Sequence, residues 1–231
     1  MTEDIKKFYS NLQFPGKYSW EDLNFYDEHG IHNIYLKEMD AVIKNKIHVL
    51  DIGCGTGLVS NLFAKKYPTS VFTGLDFSDS IDYAKKFAKI NGLKNTKWIK
   101  KDFLDFESSR QYDLIICCGV LHHIPQFDVA LNKIKKLLKP GGKLILAVYN
   151  TNGKLLKRIF DIKYHSVILE EDQENNPFEL SFRHQCILKM CDDLEFNLVS
   201  PSWHNNFVNF LALFNSENGG LTLYVFTKPK I

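Results

Sequence analysis

The chain lacks long hydrophobic runs and paired-cysteine motifs. No apolar stretch approaches the eighteen or so residues that a membrane-spanning helix needs, and the N-terminus carries acids and lysines where a signal peptide is apolar. The five cysteines are an odd number and contain no C-x-x-C pair, which argues against a disulfide framework and a cysteine zinc site. We therefore expect a cytoplasmic protein without an anchor.

The chain also lacks an excess of charge of either sign. It has 29 Lys and Arg residues against 27 Asp and Glu residues, a net charge of +2. This balance disfavours a nucleic acid as the main partner, although a local basic patch remains compatible with it. With 231 residues, 45% of them hydrophobic, the composition is typical of one globular domain.

From residue 46, short apolar runs alternate with longer amphipathic stretches. The runs predict strands at residues 47–50, 71–75, 97–99, 114–118, 143–148, 198–200 and 221–226. Apolar residues spaced by three and four predict helices at residues 58–66, 80–91, 127–138, 154–160 and 181–194, with one or two more within 21–43. Residues 139–142, Lys-Pro-Gly-Gly, predict a turn into a strand. The alternation indicates a parallel sheet covered by helices.

The strongest motif follows the first predicted strand and reads Asp-Ile-Gly-Cys-Gly-Thr-Gly from Asp51 to Gly57. Alternate glycines let the backbone turn tightly and let a ligand lie against it. Asp76 ends the second predicted strand, about 20 residues beyond these glycines, where nucleotide-binding folds place an acid on ribose hydroxyls. These residues predict a ligand that contains a ribose.

Two residues distinguish between nucleotides. A dinucleotide motif needs its third glycine where Leu58 stands, and Asp51 would repel a pyrophosphate. S-adenosylmethionine carries an ammonium and a sulfonium, which a carboxylate attracts. The residues therefore favour the methyl donor over a nicotinamide dinucleotide.

Over residues 46–150 the chain resembles the class I S-adenosylmethionine-dependent methyltransferases. Five motifs match in order: 51–57, 75–78, 101–103, 112–124 and 138–144. The resemblance implies an α/β, Rossmann-like class I methyltransferase fold, with a seven-stranded, mostly parallel sheet, helices on both faces and an antiparallel edge strand. It also implies S-adenosyl-L-methionine as the cofactor and S-adenosyl-L-homocysteine as the product.

The resemblance also implies a cofactor-binding set. Asp76 would hold the ribose, or it would only cap the next helix. Phe77 and Phe103 would sandwich the adenine, or they would only fill the core. The expected residues are Asp51, Gly53, Cys54, Gly55, Gly57, Asp76, Phe77, Asp102, Phe103, Cys118 and Gly119.

Residues after the fourth and fifth strands are candidates for the acceptor side. The catalytic candidates are His122, His123 and Tyr149, because a histidine suits a general base at neutral pH. The substrate-binding candidates are Tyr18, Asn150 and His184. No metal is expected, because adjacent histidines do not share one helical face.

The predicted organisation is a helical cap or lid at 1–44, then an S-adenosylmethionine-binding methyltransferase domain at 45–231 with an acceptor-side excursion near 151–182. The predicted function is methyl transfer to an oxygen, nitrogen or carbon atom of a small molecule. The alternatives are a tRNA or RNA base methyltransferase and a non-catalytic cofactor-binding partner subunit. The sequence predicts no oligomeric state.

Overall fold

The computed structural model describes residues 3–14, 16–29, 34–149, 151, 177–200 and 221–230. Within these ranges seven strands form one sheet. The strands are β1 (His48–Ile52), β2 (Val71–Asp76), β3 (Thr96–Lys100), β4 (Tyr112–Cys118), β5 (Leu138–Tyr149), β6 (Glu195–Ser200) and β7 (Leu221–Thr227).

The sheet has the order β3-β2-β1-β4-β5-β7-β6. Neighbours from β3 to β5 run parallel, whereas β7 is antiparallel to both β5 and β6. The order reverses direction between β1 and β4, and open parallel sheets bind ligands at that point. The Rossmann-like expectation is confirmed, and the antiparallel strand lies between β5 and the edge strand β6.

Helices cover both faces of the sheet. They are α1 (Glu3–Asn11), α2 (Trp20–His29), α3 (Ile34–Val42), α4 (Leu58–Lys66), α5 (Ser80–Ile90), α6 (Phe127–Leu137) and α7 (His184–Met190), with 3₁₀ turns at Phe103–Asp105 and Leu121–His123. In α5, Ala84 and Ala88 are buried while Lys85 is exposed, as the spacing predicts. The predicted helix at 154–160 lies outside the described residues, and the one predicted at 181–194 is shorter. Across the described part of the chain, no helix is long and apolar enough to cross a membrane.

Two buried clusters sandwich the central strands. Leu50 and Ile52 face the cluster beneath α6 and α7, whereas Val49 faces the cluster beneath α3 and α4. Strand β4 is buried on both faces, so it appears in the sequence as an unbroken apolar run. This burial fixes the carboxyl ends of β1, β2 and β4, where the site lies.

The predicted turn at residues 139–142 is a bulge inside β5. Pairing with β4 passes from Tyr112–Leu138 directly to Leu114–Lys143, so the residues between bulge out of the ladder. A Cβ on Gly142 would lie 2.8 Å from the Lys139 carbonyl oxygen. The expected change of direction is therefore present, but it occurs after the strand has begun.

Replacing Gly57 with alanine tests the packing between the glycine loop and α5. Gly57 has φ +78°, and an added Cβ would lie 2.5 Å from the Ala84 Cβ. Gly92→Ala is the matched control, because Gly92 has φ +69° but no atom within 4 Å of the added Cβ. We expect about 1–2 kcal/mol of backbone strain in both variants and about 1–3 kcal/mol more in Gly57→Ala. Urea unfolding measures the difference, and equal losses would contradict the close packing.

Candidate functional site

A cavity of about 290 Å³ lies at the carboxyl ends of the parallel strands. Its walls come from the loops after β1, β2, β3 and β4, from the ends of β5 and β7 that lie at this edge, and from the N-terminal helices. The predicted residues that line it are Asp51, Gly53, Cys54, Gly55, Asp76, Phe77, Phe103, Cys118, Gly119, His123 and Tyr149.

The glycine loop turns back over the end of β2. The backbone N–H groups of Gly53 and Cys54 donate to the Leu75 carbonyl at 2.7 and 3.1 Å. Gly53 has φ +66°, and a Cβ there would lie 2.2 Å from a Val120 methyl group. A side chain at this position would therefore displace the loop that follows β4. Gly57 does not line the cavity and serves the turn into α4 instead.

Asp76 links the glycine loop to the start of α5. One carboxylate oxygen accepts the Gly55 N–H at 2.8 Å, and the other accepts the Ser78 N–H at 2.8 Å and the Ser78 hydroxyl at 2.7 Å. Burial raises the pKa of Asp76, and these donors oppose the rise. The oxygen bound to Gly55 retains a lone pair that a ligand hydroxyl could use.

Asp51 is a buried carboxyl group, 4% exposed, on the cavity wall. Its oxygen accepts the Ser60 hydroxyl at 2.7 Å. Burial raises the pKa of Asp51 to about 7, with the Ser60 hydrogen bond opposing the rise and the charge of Asp76 adding to it. A cation in the cavity would favour the ionised form of this group.

The segment before α2 is tied to the glycine loop through Thr56. Thr56 donates its N–H to the Phe14 carbonyl at 3.0 Å and its hydroxyl to the Gly16 carbonyl at 2.8 Å. Tyr18 donates its hydroxyl to the Thr56 carbonyl at 3.0 Å and accepts from Asn61 at 2.6 Å. Tyr18 was expected to contact substrate, but it lies outside the cavity lining, and its hydroxyl is used in holding the loop.

Asp102 also lies outside the cavity lining, although its neighbours Lys101 and Phe103 belong to it. One of its oxygens accepts the Leu104 N–H at 3.0 Å, and the other lies 3.7 Å from the Lys6 ammonium. These contacts cap the 3₁₀ turn and connect α1 to the sheet. The expected contact between Asp102 and an adenine stays a prediction.

His123 lines the same cavity as Asp76, and the Tyr9 ring contacts both Phe77 and His123. Its Nδ1 lies 3.1 Å from the Phe178 carbonyl, and its Nε2 lies 2.9 Å from the Tyr9 hydroxyl. Because a carbonyl only accepts, the neutral ring carries its proton on Nδ1 and accepts from Tyr9 at Nε2. His122 is fully buried behind it, outside the cavity lining, with its ring 4.2 Å from that of Tyr149.

The other predicted site residues are His184, Asn150, Cys54 and Cys118. The His184 ring stacks on Tyr224 with centroids 5.6 Å apart and does not line the cavity, so its expected substrate contact is not supported. Asn150 lies outside the described residues. Burial raises the pKa of Cys54 and Cys118 well above the usual range, so both thiols stay protonated at neutral pH.

Sequence reasoning missed two groups of residues. The N-terminal segment adds Leu12, Phe14, Leu36 and Met39 to the cavity wall, and no motif marks them. Glu179 reaches the two histidines, and the possible ligand atoms of His122, His123 and Glu179 all lie within 4.8 Å of one another. The two adjacent histidines do not share one helical face, but Glu179 brings a third possible ligand atom from a distant segment of the chain.

Comparison with known proteins agrees with this geometry. A family model described as a methyltransferase domain matches residues 43–211. The ubiquinone biosynthesis O-methyltransferase of Pelagibacter ubique is 30% identical over 209 residues, covering 83% of this chain and 84% of that protein. The corresponding enzyme of Coxiella burnetii is 36% identical over 129 residues, covering 54% of each, so the chain spans about half the length of that relative.

A solved structure supports the fold. The N-methyltransferase NodS of Bradyrhizobium japonicum, in complex with S-adenosyl-L-homocysteine, superposes with a TM-score of 0.64 at 16% identity, covering 99% of this chain and 100% of that one. The match of the family model over residues 43–211 shows that the chain belongs to the methyltransferase domain family. The expected class I S-adenosylmethionine-dependent methyltransferase is confirmed at the level of family and fold.

The raised pKa of Asp51 predicts a pH-dependent stability that Asp51→Asn removes. Below about pH 4 the carboxyl group is protonated both folded and unfolded, so it carries no penalty. Between about pH 4 and 7 only the folded state keeps the proton, so the free energy of unfolding falls as pH rises, by up to about 4 kcal/mol. Urea unfolding of both proteins at pH 4.5, 6 and 7.5 measures this difference, and a gap independent of pH would contradict it.

Proposed function

We propose that this chain transfers the methyl group of S-adenosyl-L-methionine to a hydroxyl oxygen of a small, largely apolar molecule. The observation that carries the proposal is one continuous cavity. The glycine loop held by Asp76 and the ring of His123 both line it. The membership of the methyltransferase domain family supports the same assignment.

The cofactor would lie along the ends of β2, β1 and β4. Its ribose hydroxyls would bind Asp76, and its adenine would lie near Phe77 and Phe103, both of which line the cavity. Its ammonium would lie toward Asp51, where it would stabilise the ionised carboxylate. Its sulfonium methyl would then lie toward β4, β5 and His123.

The acceptor would occupy the end of the cavity near β5. Leu12, Leu36, Met39 and Leu221 line the cavity together with the ring of Tyr149, which favours an apolar molecule. In the transfer the carbon–sulfur bond would break as the oxygen–carbon bond forms, S-adenosyl-L-homocysteine would leave, and the hydroxyl proton would pass to Nε2 of His123. We assign contact with the acceptor to His123 and Tyr149, and positioning of both rings to His122.

The N-terminal helices would act as the cap that residues 1–44 were expected to form. Tyr9 contacts His123, and Lys6 lies near Asp102, so α1 spans both ends of the site. Excluding water protects the sulfonium and favours in-line attack. Most of the excursion predicted near 151–182 lies outside the described residues.

Cofactor binding is tested by calorimetry with Asp76→Asn. The carboxylate of Asp76 has two acceptor oxygens, whereas the amide of asparagine has one. In the variant the ribose hydroxyl and the Gly55 N–H would therefore compete for that single oxygen. We expect micromolar binding of S-adenosyl-L-methionine and S-adenosyl-L-homocysteine, weakened at least tenfold in the variant, about 1.4 kcal/mol. Asp79→Asn is the control, because Asp79 is exposed beside the same loop. Folded wild type that binds neither ligand would overturn the proposal.

The acceptor class is tested with phenols and catechols, starting with catechol, by following S-adenosyl-L-homocysteine formation. His123→Gln should lower kcat/KM about 100-fold, because proton transfer by a positioned group contributes at least that much. The affinity for S-adenosyl-L-homocysteine should change less than threefold, and His184→Gln should leave the rate unchanged. An unchanged rate in His123→Gln would remove its role, and binding without turnover of any hydroxyl compound would exclude this acceptor class.

A further inference from the structure

The cluster of His122, His123 and Glu179 lies against the acceptor end of the cavity. Its three possible ligand atoms lie within 4.8 Å of one another, and both histidines are almost fully buried. We propose that this cluster binds one divalent transition-metal ion of the zinc type. Neither the family match nor the relatives' names assign such a site to this chain.

The geometry requires only a small contraction around the ion. Bonds of about 2.1 Å in a tetrahedral site place the ligand atoms about 3.4 Å apart. Two imidazole nitrogens and one carboxylate are a common set for zinc in catalytic sites, with a fourth position open. Magnesium prefers oxygen ligands, so the set favours zinc, cobalt or manganese over magnesium.

Backbone contacts hold the three ligands in place. The Phe178 carbonyl lies 3.1 Å from Nδ1 of His123, and a metal-binding histidine commonly donates its second nitrogen to such a carbonyl. The Leu180 N–H donates to the His122 carbonyl at 2.8 Å. Glu179 lies between these two anchoring residues, so the same short segment orients the imidazole and supplies the carboxylate.

The open position would face the cavity. With Nδ1 turned to the carbonyl, Nε2 of His123 is the ligand nitrogen, and the Tyr9 hydroxyl now lies 2.9 Å from it. The ion would displace that contact and leave the Tyr9 hydroxyl beside the fourth position. With the ion bound, His123 would act as a ligand and no longer as the base. An acceptor hydroxyl at the fourth position would then lose its proton to water more readily, because the ion would stabilise the oxyanion that attacks the methyl group.

Binding of the ion does not depend on methyl transfer, and only its use rests on the proposed function. The competing structure is a hydrogen-bonded histidine–glutamate network without an ion. The two differ in whether metal-free protein takes up one equivalent of metal. They also differ in whether two imidazoles surround that metal.

The test is titration of chelator-treated, full-length protein with Co²⁺ and then Zn²⁺. We expect one ion per chain, an intense visible cobalt band of four- or five-coordinate geometry, and its displacement by Zn²⁺. Glu179→Gln and His123→Gln should each weaken binding at least tenfold. The control His48→Gln should leave it unchanged, since the His48 side chain contacts Arg110, away from this cluster.

X-ray absorption of the zinc-loaded wild type supplies a readout that needs no variant. Two imidazole ligands are expected, whereas one or none would overturn the site, as would wild type that takes up no metal. Calorimetry of the metal-free protein with S-adenosyl-L-homocysteine separates the two proposals. If the protein binds S-adenosyl-L-homocysteine but takes up no metal, only the proposed metal site is rejected. If it takes up metal but does not bind S-adenosyl-L-homocysteine, only the proposed methyltransferase function is rejected.

Discussion

The hydrogen bond from the Gly55 N–H to the Asp76 carboxylate is the contact on which the site depends. Parallel pairing of Ile52 with Leu75 brings the ends of β1 and β2 to one edge, and the carboxylate then joins the loop after β1 to the turn after β2. Without this acceptor the partly buried Gly55 N–H would need another partner. The same carboxylate is available to a ribose, so the contact that shapes the loop also prepares it for a nucleoside.

The second constraint is electrostatic. Asp51 and Asp76 lie buried on the same cavity wall, and the charge of Asp76 adds to the desolvation that raises the pKa of Asp51. Burial, with this charge beside it, favours a proton on Asp51 or a cation next to it. A ligand with an ammonium replaces that proton, so the cofactor end recognises charge as well as shape and would release a proton on binding near neutral pH.

The sequence predicts the half of the site that the sheet builds. Buried parallel strands such as β4 appear as continuous apolar runs, and the spacing from the glycines to Asp76 follows from the strand–helix–strand unit. Tyr18 and Glu179 follow no such rule, because their positions depend on tertiary contacts. Tyr9 and His123 meet across 114 positions of the chain, a separation that no local period encodes. The sequence also does not predict the bulge at residues 139–142, because Lys-Pro-Gly-Gly is typical of an ordinary turn.

The two halves of the site therefore differ in how they are held. The cofactor half is built from backbone groups and acids at strand ends, which the sheet register fixes. The region around His123 is held by longer-range contacts, with the Tyr9 hydroxyl from α1 and the Phe178 carbonyl on either side of the His123 ring. Changes near Phe178 can reshape this region while the Asp76 contact stays intact. The sequence around His123 can thus vary while the contact between Asp76 and the glycine loop is kept.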